Sequence, residues 1–241
     1  MRKKVLLPLL LLLIIATAVV FIIKSLQADP LKKSISIEQK PSENSTDTLL
    51  VKDENGKNLK LKINDIPPYK QYLQSQEDSK TEIERTQSEA LTLSTPEHFI
   101  LLKYSCGNKQ CSTILVKESN STITSLALGD GIFQDYQLSP DKTELLLRYG
   151  YSEGGEIVRH TLIAVDLLTM EKIPFESTAL TNDYMSTPIW PILDYQWIEK
   201  DRFMIESPDL ESSDYEAVKH WYTSTEKKTK IVEIFINKAK N

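Results

Sequence analysis

Hydrophobic positions fall into three regimes along this chain. Residues 5–23 are nineteen consecutive uncharged residues dominated by Leu, Ile and Val, with Arg2, Lys3 and Lys4 before them and Lys24 after. At about 1.5 Å per residue, a helix of this length just crosses a hydrocarbon core of roughly 30 Å. The pattern therefore predicts an N-terminal transmembrane anchor over residues 1–24, and the leading basic cluster places the N-terminus in the cytoplasm and the rest outside. The rival expectation is a signal peptide cleaved near Ala28, giving a secreted protein. The apolar run exceeds the roughly 7–15 residues usual for a signal sequence, which favours the anchor. Residues 25–47 turn to Ser, Lys, Glu, Pro and Asn, the composition of a flexible linker.

Beyond the linker the period drops to two. Leu49 and Val51 alternate with polar residues, as do Leu59, Leu61 and Ile63, and Asn55-Gly56 lies between the two runs. This predicts a β-hairpin over 48–66, because Asn-Gly supplies the positive φ angles of a tight turn. Pro67-Pro68 ends it. Tyr69, Tyr72, Leu73 and Ile83 then recur near helical spacing in a polar stretch, predicting a thin-striped helical spacer over 67–90. From residue 91 to 241 short β-like runs alternate with turn residues, so the expected class is mainly β. Propeller-like or sandwich-like antiparallel sheets would form an extracytoplasmic domain after a single transmembrane helix and a marginal linker helix.

One unit recurs. Asp135-Tyr136-Gln137-Leu138 has a counterpart in Asp194-Tyr195-Gln196-Trp197, and Leu145-Leu146-Leu147 in Phe203-Met204-Ile205, a period of about sixty residues. Within 135–175, the turn Leu138-Ser139-Pro140-Asp141 is followed by Leu145-Leu146-Leu147, Tyr149 and Tyr151, then Arg159-His160 and Val165-Asp166-Leu167. This stretch resembles a β-propeller blade of dipeptidyl peptidase IV-like, or TolB-like, proteins. The resemblance implies a stack of four-stranded units and not peptidase activity, because no G-x-S-x-G nucleophile elbow occurs in the chain. Residues 91–241 have room for about three such units, whereas closed propellers need about four or more.

Composition narrows the partners. Of the net charge of −5, four cations flank the apolar segment, so the remainder carries −9. Lysines alternate with acids throughout, which excludes a nucleic-acid surface built on clustered cations. The expected contacts are the membrane through residues 5–23 and a protein or envelope polymer. Cys106 and Cys111 bracket Gly107-Asn108-Lys109-Gln110 between two strand-like runs, and in an exported chain this predicts a disulfide across a turn. Neither spacing nor clustering of His98, His160, His220 and the acids forms a metal set, and no cofactor motif is present, so no catalytic, metal-binding or cofactor-binding residues are expected. Trp190, Trp197, Trp221 and Tyr222 concentrate in the last sixty residues; exposed they would be a binding surface, buried they are the core of the terminal β unit. The function expected by elimination is a membrane-anchored binding or scaffold module. The alternatives are an extracytoplasmic hydrolase, which would have to unite residues such as Asp135, His160 and Glu206, and an accessory subunit of a membrane complex.

Overall fold

A computed structural model describes residues 47–154, 156–176 and 178–236. The expected anchor at 1–24 and all but the last residue of the expected linker at 25–47 lie outside them. Among the described residues no helix is long and apolar enough to cross a membrane.

The fold is mainly β and every strand pair is antiparallel. Strands β1 (Thr48–Lys52) and β2 (Asn58–Lys62) pair around Asn55-Gly56. The Asp53 carboxylate accepts the backbone N–H groups of Asn55 and Lys57 at 2.9 and 2.8 Å, which holds that turn closed. Pro67 then opens helix α1 (Pro67–Gln74), where a missing N–H costs nothing. Helix α2 (Ser79–Arg85) is capped by Asp78, which accepts from Thr81 N at 3.0 Å.

A meander of seven strands follows in simple sequence order: β3 (Gln87–Leu91), β4 (His98–Tyr104), β5 (Cys111–Ser119), β6 (Thr122–Leu138), β7 (Glu144–Gly154), β8 (Ile157–Asp166) and β9 (Glu171–Lys172). Helix α3 (Ala179–Met185) leads to a separate three-stranded sheet of β10 (Asp194–Glu199), β11 (Arg202–Pro208) and β12 (Thr229–Phe235), with helix α4 (Tyr215–Thr223) between the last two. Two features depart from the sequence expectation. The stretch 67–90, expected as a helical spacer, carries α1 and α2 but buries Tyr69 and Leu73 of α1, and its last residues form β3. Residues 122–128 and 132–138, which the turn-like Gly129-Asp130-Gly131 would separate into two short runs, are a single strand.

That single strand bends. Its first part pairs with β5 up to Cys111↔Gly131, and its second pairs with β7 from Ile132↔Gly150, with a bulge on each side of the bend. Gly129 and Gly131 occupy φ +146° and +153°, which side chains rarely adopt. At Gly131 a Cβ would also lie 3.0 Å from Tyr151 Oη and 3.1 Å from Tyr149 Cδ1. The bend folds the two halves of the meander against each other. Phe99, Leu101 and Leu115 then pack with Leu145, Leu147, Tyr149 and Val165.

Three apolar layers result. The opposite faces of β4 and β5, through Ile100, Leu102, Ile114 and Val116, meet Leu49, Val51, Leu61 and Tyr69 of the hairpin and α1. The opposite faces of β7 and β8, through Leu146, Leu162 and Ala164, meet Tyr195, Phe203, Ile205, Val232 and Ile234 of the terminal sheet. Both central half-sheets are thus buried on both faces, which is why β4, β5 and β7 read as unbroken apolar runs. Burying each Leu of these runs contributes about 2 kcal/mol. Replacing Gly131 by Ala should destabilise the fold by about 2 kcal/mol in chemical denaturation. Ala at Gly129, where φ is equally unfavourable but a Cβ meets nothing within 4 Å, should cost less.

Candidate functional site

The two copies of the Asp-Tyr-Gln unit meet each other across the third layer. Arg148 on β7 stands opposite Asp135 on β6 in the ladder. Its Nε donates to Asp135 Oδ1 at 3.1 Å, Nη2 donates to Oδ2, and Nη1 donates to the Ile192 carbonyl at 3.0 Å. From the second copy, Tyr195 donates its hydroxyl to Asp135 Oδ1 at 2.7 Å and lays its ring 5.2 Å from the guanidinium. Gln137 donates to the Tyr195 carbonyl, and Trp197 returns a bond from its indole N–H to the Gln137 carbonyl at 3.3 Å. Burial, followed by the bond to Asp135, holds the Tyr195 hydroxyl well above its ordinary range.

His160 on β8 closes the same region. Its Nδ1 accepts the Ile192 N–H at 3.0 Å, and its own backbone N–H donates to the Trp190 carbonyl at 3.0 Å. The pair of bonds straps 190–192 along the edge of β8. Burial, then the Arg148 charge, lowers its pKa from 6.5 to about 4, with Asp135 opposing.

Of the three residues a hydrolase would have to unite, the structure brings Asp135 and His160 into one region and leaves Glu206 elsewhere. Glu206 stands in register with Asp194 and the exposed Ile231, on the side of the terminal sheet away from the core. The Asp135 carboxylate is engaged by a guanidinium fork and a phenol, and the His160 lone pair by a backbone amide. A carboxylate and an imidazole held this way are structural acceptors, not a base facing a substrate.

Trp190 and Trp221 are buried, and their indole N–H groups donate to Asp183 at 3.3 Å and to the Lys228 carbonyl at 2.7 Å. Trp197, half-buried, packs edge-on to Phe203, and Tyr222 packs edge-on to Trp221. Most of this aromatic area therefore belongs to the terminal β unit's own packing. Cys106 and Cys111 are disulfide-bonded across a turn closed by Gly107 N–H to the Gln110 carbonyl at 2.9 Å.

Two concavities deserve comparison. A cleft of about 260 Å³ at the bend of β6 is lined by Asp130, Tyr151, Thr161, Lys172, Phe175 and Ser186. Its polar groups turn inward: Tyr151 donates to the Asp130 carbonyl at 2.6 Å, and Lys172, its pKa lowered by burial, donates to the Leu128 carbonyl. A shallower groove of about 500 Å³ runs beside the disulfide between Tyr72, Glu82, Arg85 and Ser105. There burial and the bond to Glu82 push Tyr72 up to about 12. Among the described residues no three His, Cys, Asp or Glu side chains gather into a metal-binding group.

A further candidate surface is the outward face of β10, β11 and β12. Alternation puts Tyr195, Phe203, Ile205, Val232 and Ile234 inward. Asp194, Gln196, Arg202, Met204, Glu206, Ile231, Glu233 and Phe235 therefore point out, as do Ile198 and Glu199 across the bulge of β10. Ile231 and Phe235 are 57% and 56% exposed and Ile198 37%. Arg202 ties the acids Glu199 and Glu233 at 2.7 and 3.2 Å and lies 5.7 Å from the Phe235 ring. Sequence reasoning missed this face. Its signal is in the run Ile231-Val232-Glu233-Ile234-Phe235-Ile236, which carries apolar residues on both parities where a one-sided strand needs them on one.

No protein-family model, curated protein or solved structure matches this chain. The candidate surface accordingly rests on its own geometry.

His160 makes stability depend on pH in a stated direction. The folded state holds it neutral and the unfolded chain binds the proton more readily, so its contribution is complete above about pH 6.5 and is lost as pH falls toward 4. Denaturant midpoints measured between pH 7.5 and 4.5 should record a loss of up to about 3 kcal/mol. The His160→Gln variant should be less stable at neutral pH and show a flatter profile.

Proposed function

We propose that this protein is a membrane-anchored, extracytoplasmic binding or scaffold module whose sheets form a propeller-like stack, and that it docks an envelope protein on the outward face of its terminal sheet. The observation that carries the proposal is an asymmetry of burial. The central half-sheets are covered on both faces, whereas the terminal sheet leaves Ile231 and Phe235 more than half exposed among charged neighbours. An apolar stripe rimmed by charge is the composition of an interaction surface.

Three further features support the reading. The nineteen-residue apolar run behind a basic cluster suits an N-terminal anchor. A disulfide suits an oxidising compartment. Four consecutive antiparallel strands, from the second part of β6 through β9, correspond to the stretch that resembles a propeller blade. A binding role is favoured over hydrolysis because Asp135 and His160 are already occupied as acceptors within the fold.

A photoreactive amino acid at position 231 of the full chain, activated in intact cells, tests the docking face. The expected outcome is a discrete crosslinked protein product in the membrane fraction, abolished by Phe235→Asp and still present when the probe-bearing chain also carries a substitution in the exposed turn between β4 and β5 such as Lys109→Ala. A chain that yields only uncrosslinked monomer would overturn the assignment of this face. Protection of the domain from external protease in intact spheroplasts would overturn the topology.

A further inference from the structure

We infer that the partner seated on the terminal sheet is a second copy of this chain, presented hairpin first, so that copies continue the sheet stack head to tail. The inference rests on the docking face proposed above and adds the identity of its occupant.

The two ends of the stack are complementary. At one end the hairpin buries Leu49, Val51 and Leu61 and turns Leu50, Lys52, Lys60 and Lys62 outward, with Leu50 60% exposed and directly opposite Lys60. That outward face carries three lysines and, within the two strands, no acid. At the other end the outward face of the terminal sheet carries Asp194, Glu199, Glu206 and Glu233 against Arg202 alone, a net of −3 opposite the hairpin's +3. Both faces are antiparallel ladders that expose an aliphatic residue: Leu50 on β1, and Ile231 on β12, the edge strand of the terminal sheet. Apolar contact accompanied by opposite charges is the arrangement of a complementary interface.

The same charges decide the mode of association. A two-fold pairing of terminal sheets would set four acids against four acids, and a pairing of hairpins would set lysines against lysines. Only the heterologous arrangement pairs opposite signs, and such contacts propagate into rings or open chains of copies. The hairpin, the smaller of the two faces, measures roughly 10 by 17 Å from strand spacing and rise, so a contact buries on the order of 350 Å² in total, well short of the roughly 1,200 Å² of stable complexes. Association is therefore weak in dilute solution and relies on the high local concentration that a shared membrane provides.

The test uses the full chain in its membrane. Cysteines introduced as Leu50→Cys and Ile231→Cys in one chain should, on mild oxidation, give a ladder of dimers, trimers and higher species on non-reducing gels. Co-expressing the two single variants should give dimers and nothing larger. Reversing the hairpin charges with Lys52→Glu, Lys60→Glu and Lys62→Glu should lower ladder yield about tenfold. Adding Asp194→Lys, Glu206→Lys and Glu233→Lys to that chain should restore it, with thermal midpoints confirming that each variant folds.

Dimers from Ile231→Cys alone would overturn the head-to-tail arrangement in favour of a symmetric one. No ladder, together with photocrosslinks from position 231 to a different protein, would overturn self-association and leave the docking face standing. Absence of both products would overturn both readings.

Discussion

A β-sheet buried on two faces has no polar side available, so each of its residues has to be accepted by an apolar neighbour above or below. The middle of this protein is built on that constraint. Phe99-Ile100-Leu101-Leu102 sends alternate side chains into two different cores, as do Ile114-Leu115-Val116 and Leu145-Leu146-Leu147. The arrangement exists only because β6 changes partner part-way along its length. Without the bend at Gly129 and Gly131 the meander would be one open sheet, and the layer between its halves would face water. Two residues without side chains therefore set where an entire apolar layer can close.

The polar groups where β6, β7 and β8 meet the terminal sheet are paired with one another, with the Asp135 carboxylate itself partly exposed. Asp135, Arg148 and Tyr195 satisfy one another and the Ile192 carbonyl, and His160 accepts the Ile192 amide. A half-satisfied network in such a place would be worse than an apolar one. Here it does positional work: it joins β6, β7 and β8 to the strap at 190–192 and to the first strand of the terminal sheet. The repeated Asp-Tyr-Gln segment is thus a device for mating one sheet to the next, with the first copy supplying the carboxylate and the second the phenol. Among the described residues no sheet lies beyond the second copy, and its Asp194 is exposed.

That difference between the copies connects structure to proposed function. A stack of this kind ends wherever a face is polar enough to stand in water. Both ends meet it only in part, the hairpin mixing lysines with Leu50 and the terminal sheet mixing acids with Ile231 and Phe235. The mixture is the residue pattern of a surface that is soluble alone and still rewards being covered.

Much of this was legible in the chain because its cause is local. Alternation of Leu49, Val51, Leu59 and Leu61 about Asn55-Gly56, continuous apolar runs of strand length, and two cysteines astride a four-residue turn are all set by neighbours in sequence, and they sufficed for a mainly β, antiparallel class. What lay beyond reach depends on residues far apart. Nothing near Gly131 announces that Tyr149 and Tyr151 will press against it, and nothing near Asp135 reveals whether a carboxylate beside a later histidine is a catalytic pair or a saturated knot. Whether Trp190 and Trp221 would face a partner or the interior, and which parity of β12 would remain uncovered, was likewise decided only when sheets from distant segments met. Secondary structure follows from periodicity, which the chain carries residue by residue; burial and availability follow from which surfaces find each other, and these only the tertiary structure decides.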